Sequence, residues 1–205
     1  MTKTLAWNVD TQYDFMRADG KLNVPDAESI EPTLRYVTNT FRKEGIKIVN
    51  TADSHYTNSA ELSDKPDFVN TFPEHCMKGT PGADYVEATK PQNALYIDWD
   101  GLAPNLADVV NAKEIVMYKD AFDIFSGNQY ADKVVEALSP ERVFVYGVAT
   151  NVCVDFAVRG LIERGAEVYV LEDAIKGLPG IPSPIETWKE MGAKMIQSTE
   201  LTDYL

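Results

Sequence analysis

The chain has 205 residues, of which 19 are Lys or Arg and 32 are Asp or Glu, giving a formal net charge of -13. A charge of this sign repels phosphate backbones and anionic membrane surfaces, so nucleic acid and membranes are not expected as partners. The length suits one domain with its own core, and we predict a single domain over residues 1–205.

The first residues, MTKTLAWNVD, pass directly into an apolar run that ends in an acid, which is unlike a signal peptide. No later stretch of the sequence approaches the roughly 20 apolar residues that a membrane span needs. We therefore expect a cytoplasmic protein. Its two cysteines, Cys76 and Cys153, are predicted to be thiols, because disulfide frameworks belong mainly to secreted domains.

Short apolar runs alternate with amphipathic segments along the chain. TLAWNV is followed by a helical pattern in which Ile30, Leu34, Val37 and Phe41 recur every three or four residues, and then by IKIVN. The alternation continues with strand-like EIVMY, RVFVYGV, EVYVL and AKMIQ, which are separated by helical patterns near residues 131–138, 152–162 and 185–191. This order predicts an α/β fold, a three-layer α/β/α sandwich around a mostly parallel six-stranded sheet.

The periodicity fails between the second and third of these strands. The stretch is rich in polar residues, Gly and Pro, and we predict a long structured loop over about residues 54–112. Structureless loops longer than about 12–15 residues are uncommon in compact domains unless they are functional or disordered. Aromatic residues within the stretch argue against disorder, and ALYIDWDG inside it is predicted to be a hairpin or an edge strand.

Polar residues stand where the predicted strands end. Asp10 ends the first strand, Asp53 and then His55 end the second, Lys119 ends the third, and Cys153 begins the helix after the fourth. Ligands bind at the carboxyl ends of the strands in an open parallel sheet. We therefore expect these side chains to converge on one edge.

Cys153 stands in the first turn of its predicted helix, where the helix dipole can lower the pKa of a thiol and free N–H groups can hold an oxyanion. Its alternative role is that of a small buried apolar residue. Asp10 is a candidate general base for the thiol, and Lys119 beside a carboxylate can hold a thiolate. The alternatives are a turn-capping aspartate and a surface lysine.

Asp53 and His55 are two residues apart, so they project to the same side if the backbone stays extended. His75 is the only other histidine and is the candidate third ligand. Carboxylate with imidazole suits zinc, manganese or iron, and we predict a divalent metal at these three residues. The alternative is a helix-capping Asp and two surface histidines.

These motifs together resemble the isochorismatase-like cysteine hydrolases, and among them the nicotinamidases, over nearly the whole chain. VDTQYDF with DGKLNVP resembles the opening segment, which implies that Asp10 is the catalytic acid and base. TADSH and FPEHCMKGTPGAD resemble the metal segments, and the second implies His75 as a ligand. GVATNVCVDFAVRGL, the most specific motif, resembles the segment of the nucleophile, here Cys153, which acts with Lys119.

The resemblance also implies the surroundings of the nucleophile. A cis peptide bond would join Val148 and Ala149, and the N–H groups of Ala149 and Cys153 would form the oxyanion hole. Phe15 and Phe72 match positions where nicotinamidases place aromatic residues around a flat ring, and with Val148 they are the implied substrate contacts. Plain core packing is the alternative for the two aromatic residues.

Two segments depart from the family pattern. After Lys119 the chain reads DAFDIFSGN, where nicotinamidases typically carry a segment with serine and tyrosine that borders the substrate. Some nicotinamidases complete the metal set with a further histidine or glutamate, for which Glu61, Asp64 or waters are the candidates here.

We therefore predict a metal-containing cysteine amidohydrolase, with zinc as the expected ion, that converts nicotinamide to nicotinate and ammonia through a cysteine thioester. One alternative is an amidase of the same family that acts on N-carbamoyl or ureido substrates, and DAFDIFSGN keeps it open. An alternative of another class is a non-catalytic protein that binds a small molecule or a partner on the same fold. The resemblance also implies a homo-oligomer.

Overall fold

A computed structural model describes residues 3–205, which fold around one parallel sheet with helices on both faces. The strands are β1 (Thr4–Val9), β2 (Lys47–Asp53), β3 (Leu95–Ile97), β4 (Glu114–Lys119), β5 (Arg142–Val148), β6 (Glu167–Lys176) and β7 (Lys194–Ile196). The α-helices are α1 (Tyr13–Met16), α2 (Glu31–Lys43), α3 (Leu106–Asn111), α4 (Ile124–Gly127), α5 (Ala131–Leu138), α6 (Cys153–Glu163), α7 (Ile185–Glu190) and α8 (Leu201–Tyr204). Short 3-10 helices cover Ala27–Ile30, Pro81–Ala83 and Ser198–Glu200.

The sheet order is β3-β4-β2-β1-β5-β6-β7, and every neighbouring pair is parallel. The predicted α/β/α sandwich is confirmed. The predicted count of six strands is wrong, because β3 adds a seventh at one edge, pairing Leu95 with Ile115 of β4. ALYIDWDG thus contains an edge strand, and its three paired residues are too few to show a period in the sequence.

The predicted loop over about 54–112 is interrupted by β3 and α3. Helix α3 begins after Asn105, whose side chain accepts a hydrogen bond from the Ala107 N–H at 2.9 Å. A helix of six residues has fewer than two turns, so its apolar positions show no clear period. The remaining stretch is tied together by isolated bridges between His55 and Met77 and between Leu62 and Phe72.

Two apolar layers enclose the sheet, and β1 contributes to both through the alternation of its side chains. Leu5 and Trp7 pack into the layer that contains α5, α6 and α7. Ala6 packs into the opposite layer, with Phe41 of α2. Among the helices of residues 3–205, none has the length and apolar composition needed to cross a membrane.

Gly147 allows β5 to approach β1 just before the chain enters the site. It has φ 122°, and a Cβ added there would lie 2.1 Å from the Val9 carbonyl oxygen. We expect Gly147→Ala to lower the free energy of unfolding by about 3 kcal/mol or more, because backbone cannot move aside as a side chain can. The matched control is Gly45→Ala, at φ 71° with nothing within 4 Å, which should cost only about 1 kcal/mol. Equal losses in urea unfolding of the two variants would contradict this account.

Candidate active site

The residues predicted at the strand ends meet at one edge of the sheet. Strands β4, β2, β1 and β5 are consecutive neighbours, and all of them run in the same direction. Their carboxyl ends bring together Asp53, Lys119, Asp10 and, at the start of α6, Cys153. The expected convergence is therefore found.

Lys119 is at the centre of this group and is only 1% exposed. Its Nζ lies 3.0 Å from Asp10 Oδ2 and 3.7 Å from Cys153 Sγ, and it also donates to Asp53 Oδ1. Burial by itself would lower the pKa of Lys119, but the carboxylates of Asp10 and Asp53 raise it well above its ordinary value. The lysine is thus a buried cation shared by two carboxylates and a thiol, and the surface-lysine alternative is excluded.

The two carboxylates beside Lys119 have different pKa values. Burial raises the pKa of Asp10, and the attraction of Lys119 only partly offsets it. Burial acts on Asp53 in the same direction, but the charge of Lys119 and the nearby His55 and His75 side chains bring its pKa well below the usual range. Neighbouring carboxyl groups whose pKa values are pushed apart commonly take different roles. Asp53 stays ionised, while Asp10 is suited to gaining and losing a proton.

Cys153 is the first residue of α6 and is 7% exposed. Its Sγ and carboxylate oxygens of Asp10 and Asp53 lie within 4.8 Å of one another. Burial, followed by the charges of Asp10 and Asp53, raises the pKa of the Cys153 thiol well above its ordinary value despite Lys119. This differs from the expectation that the helix start lowers the pKa. A thiol in this setting is protonated at rest and needs an adjacent base.

Backbone N–H groups are available beside the thiol. The predicted cis peptide bond between Val148 and Ala149 is present. The N–H groups of Thr150 and Val154 donate to backbone carbonyls, at 2.8 and 3.1 Å. Within residues 3–205, by contrast, the N–H groups of Ala149 and Cys153 donate to no other group. The two amides of the predicted oxyanion hole are therefore free to bind a ligand.

A pocket of about 390 Å³, part of it open to solvent, lies above Cys153. Its wall is mostly apolar and is formed by Phe15, Leu22, Val24, Asp53, Phe72, His75, Phe122, Ala149, Val152, Cys153 and Leu178. Phe15 and Phe72 thus lie where substrate contacts were predicted. Val148 packs into the core instead, and its neighbours Ala149 and Val152 face the pocket.

Four buried side chains with metal-binding atoms lie beside the pocket: Asp53, His55, Glu61 and His75. His55 Nε2 is 3.7 Å from Asp53 Oδ2 and 3.6 Å from Glu61 Oε2, and His75 Nε2 is 3.7 Å from Asp53 Oδ2. The sequence left Glu61 and Asp64 as candidates for the fourth position. Glu61 belongs to the cluster, whereas Asp64 is exposed.

These residues fit a divalent cation. His55 Nε2 and Glu61 Oε2 are buried without a hydrogen-bond partner in the described part of the chain, although such atoms are normally paired. The separations of 3.6 and 3.7 Å are near the roughly 3.4 Å expected between ligands about 2.0–2.1 Å from a tetrahedral zinc ion. Burial, reinforced by the charge of Asp53, raises the pKa of Glu61 to about 7, and a cation in this position would favour the ionised form of its carboxyl group.

Two site residues, Gln12 in the opening segment and Thr51 in β2, were missed by the sequence analysis. The Gln12 side chain donates to the Asp53 carbonyl at 2.8 Å and accepts from the Asp53 N–H at 2.7 Å, which fixes the backbone of that residue. Thr51 donates through its hydroxyl to Asp10 Oδ1 at 2.6 Å. Gln12 belongs to the VDTQYDF motif, which could have indicated it.

Two further residues were missed in the segment after Lys119. Asp120 contacts His55 Nδ1 at 2.7 Å. Phe122 lines the pocket, and its N–H donates to Glu61 Oε1 at 2.6 Å. The departure of DAFDIFSGN from the family pattern was the signal that this segment borders the site.

Comparisons with known proteins agree with this geometry. An Isochorismatase domain model matches residues 97–198. A nicotinamidase/pyrazinamidase of Mycobacterium tuberculosis is 29% identical over 139 residues, covering 64% of this chain and 64% of that protein. A nicotinamidase of Acinetobacter baylyi is 26% identical over 207 residues, covering 92% and 88%.

A solved structure is similar over nearly the full length of both chains. The pyrazinamidase of Pyrococcus horikoshii, determined in complex with zinc, superposes with a TM-score of 0.74 at 27% identity and covers 95% of this chain and 99% of its own. The sheet, the order of the motifs and these matches lead to one conclusion. The chain is similar to the Isochorismatase domain over residues 97–198 and to a nicotinamidase and a pyrazinamidase over most of its length.

Proposed function

We propose that this chain is a metal-containing cysteine amidohydrolase and that it acts on an uncharged aromatic amide, with nicotinamide as the preferred candidate. The observation that carries the proposal is the position of Lys119, whose buried ammonium contacts Asp10, Asp53 and Cys153. One side of this group opens to an apolar pocket and the other to a buried set of metal-binding side chains. The nicotinamidase relatives and the zinc-containing pyrazinamidase structure support the same class.

The chemistry follows from the positions of the protonatable groups. Asp10 takes the proton of the Cys153 thiol as the sulfur attacks the amide carbonyl carbon, and Lys119 stabilises the developing thiolate. The N–H groups of Ala149 and Cys153 hold the oxyanion. Ammonia leaves with the proton from Asp10, and an acyl thioester remains on Cys153. Water then attacks the thioester while Asp10 takes one of its protons. The bond between carbon and sulfur breaks, the carboxylic acid is released, and Asp10 returns the proton to the Cys153 sulfur.

Asp53, His55, Glu61 and His75 would hold the metal ion. When bound, the ion supplies a Lewis acid that attracts a lone pair, such as that of a pyridine-type ring nitrogen. Two imidazoles and two carboxylates suit zinc, with manganese or iron as alternatives. Phe15 and Phe72 lie in the wall of the same pocket, where they can pack against a flat ring.

The composition of the pocket wall favours an aromatic amide over an N-carbamoyl amino acid. An N-carbamoyl amino acid carries a carboxylate, which needs a cation or several N–H donors when it is buried. Among residues 3–205, neither lysine nor arginine lines the pocket, so no side-chain cation of its wall is available to pair with such a carboxylate. The aromatic residues of the wall, Phe15, Phe72 and Phe122, suit a neutral ring.

Ammonia release from a small panel of amides tests this function. We expect the zinc-loaded protein to hydrolyse nicotinamide with a kcat/KM at least about 100-fold above that for N-carbamoylglycine, a difference of about 2.7 kcal/mol. Benzamide, which lacks the ring nitrogen, should rank between nicotinamide and acetamide. Faster turnover of N-carbamoylglycine than of nicotinamide would contradict the proposal of an aromatic substrate, while the proposal of a cysteine hydrolase would stand. No ammonia from any amide would favour the non-catalytic alternative.

The pH dependence of kcat/KM tests the role of Asp10. Because burial raises the pKa of Asp10, activity should be lost on the acid side at a pH clearly above the ordinary aspartate value of about 3.9. The sign follows from its role, since a protonated Asp10 cannot accept the thiol proton. Zinc content measured at each pH separates this loss from metal release. An acid limb at or below about pH 4 with zinc retained would contradict the assignment.

Self-association and a cytoplasmic location stay predictions. Both come from the sequence alone. Light scattering on the purified protein would give its mass in solution and test the homo-oligomer.

A further inference from the structure

Asp120 is held against the metal site from two sides. It directly follows Lys119 at the end of β4, and its Oδ1 lies 2.7 Å from His55 Nδ1. The same oxygen accepts a hydrogen bond from the Ser59 hydroxyl at 2.5 Å. Its backbone N–H donates to the carbonyl of Gly127 at 3.1 Å, which fixes the turn after the strand. The carboxylate therefore has a defined position next to the imidazole.

This contact determines which nitrogen of His55 faces the metal site. A carboxylate accepts a hydrogen bond, so the proton of the imidazole belongs on Nδ1 and the lone pair on Nε2. Nε2 is buried, has no hydrogen-bond partner within residues 3–205, and lies toward Asp53 Oδ2 and Glu61 Oε2. Metal-binding histidines generally donate their second N–H to a carboxylate or a carbonyl, which orients the ring and raises its basicity.

The other histidine of the cluster has a different partner. His75 Nδ1 contacts the backbone carbonyl of Pro73 at 2.8 Å, so its orientation depends on the local backbone. His55 depends on the side chain of Asp120, which directly follows β4 and is 65 residues away along the chain. Two residues beyond Asp120, the Phe122 N–H binds Glu61 Oε1 at 2.6 Å. The turn 120–122 therefore contacts two of the four candidate ligands.

We infer that Asp120 is a positioning residue for the metal site, which fixes the ring of His55 so that Nε2 faces the cation. The inference rests on the metal site of the proposed function and extends it to a residue outside the ligand set. It also explains why DAFDIFSGN contributes to the site although it departs from the family pattern. Substitution of Asp120 should weaken metal binding without removing a ligand.

Zinc affinity of the chelator-stripped protein is the direct test. We expect Asp120→Ala to bind zinc roughly 10–100-fold more weakly than the wild type in a competition titration. Asp120→Asn keeps an oxygen that can accept from Nδ1–H, so its affinity should lie between the two. Asp64→Ala and Asp64→Asn are matched controls, since Asp64 is an exposed carboxylate of the same loop region, and their affinity should equal that of the wild type.

Thermal unfolding of the stripped proteins separates positioning from folding. If Asp120 acts by positioning His55, the unfolding midpoints of the zinc-free wild type and the zinc-free Asp120→Ala variant should be similar. Added zinc should then raise the midpoint of the wild type more than that of the variant. Wild-type zinc affinity in a folded Asp120→Ala protein would overturn the inference while leaving the metal site intact. If Asp120→Ala does not fold, unchanged affinity in Asp120→Asn would overturn it. Failure of the wild type to bind zinc would overturn both the inference and the metal part of the proposed function, independently of any amidase assay.

Discussion

Replacing Cys153 with alanine is expected to lower kcat for amide hydrolysis by roughly 10⁴-fold or more, because in the proposed mechanism this thiol supplies the atom that attacks the carbonyl carbon. The fold and zinc binding should persist, since the side chain is small and is not one of the four proposed ligands, Asp53, His55, Glu61 and His75. Ammonia release under saturating amide measures kcat, and elemental analysis of the same sample measures zinc.

Cys76→Ala is the matched control for that substitution. Cys76 is a second free and fully buried thiol, and its Sγ contacts the Gly82 carbonyl at 3.8 Å. Burial raises the pKa of Cys76 well above its ordinary value. Its removal should change kcat by no more than a few-fold. Equal losses in the two variants would show that the proposed nucleophile is wrong and that thiol removal acts through packing.

Lys119→Met is expected to lower the free energy of unfolding by about 3–5 kcal/mol at neutral pH, because it leaves two buried carboxylates without their cation. Asp10 and Asp53 are both fully or almost fully buried, so solvent cannot replace the ammonium. Hydrolysis should also be lost, since the thiolate would lack its neighbouring positive charge. Urea unfolding measures the stability, and ammonia release measures the activity.

Lys78→Met is the control for charge removal. Lys78 pairs with Asp98 at 2.7 Å and Asp100 at 3.3 Å, but its side chain is 34% exposed, so the loss should be below about 1 kcal/mol. For Lys119→Met the stability loss should shrink as the pH falls. In this variant the carboxyl groups of Asp10 and Asp53 would have higher pKa values in the folded state than in the unfolded state. They therefore destabilise the fold only at a pH where they are ionised. A loss that is independent of pH would contradict the pairing.

The fold and the meeting of Asp10, Lys119 and Cys153 could be predicted from the sequence because both follow from the order of the strands and from the residues at their ends. Alternating apolar runs indicate parallel strands, and the carboxyl ends of neighbouring strands meet at one edge. Asp10, Lys119 and Cys153 follow three of these runs, so their meeting required only the sheet order. The motif around Cys153 also indicated the cis bond that is found before Ala149.

Features that depend on the path of the loops could not be predicted in this way. Glu61 and Asp64 are equally acidic in the sequence, and Glu61 is held inward by the Phe122 N–H, a hydrogen bond from a residue 61 positions away. The pKa of Cys153 depends on the distances to two carboxylates, and the position of a residue at a helix start contains no such information. Asp120 lies beside His55 because β4 pairs with β2, a contact between distant parts of the chain.

Mass analysis of the protein during turnover tests the central claim most directly. Wild-type protein mixed rapidly with excess nicotinamide and quenched in acid should carry one nicotinoyl group, located on the peptide that contains Cys153. The adduct should appear before the steady state and disappear when the amide is exhausted. In a second sample, Cys153 is alkylated before nicotinamide is added. If this protein still turns over nicotinamide at the full rate, and Cys153 carries no nicotinoyl group, the proposed thioester mechanism is contradicted.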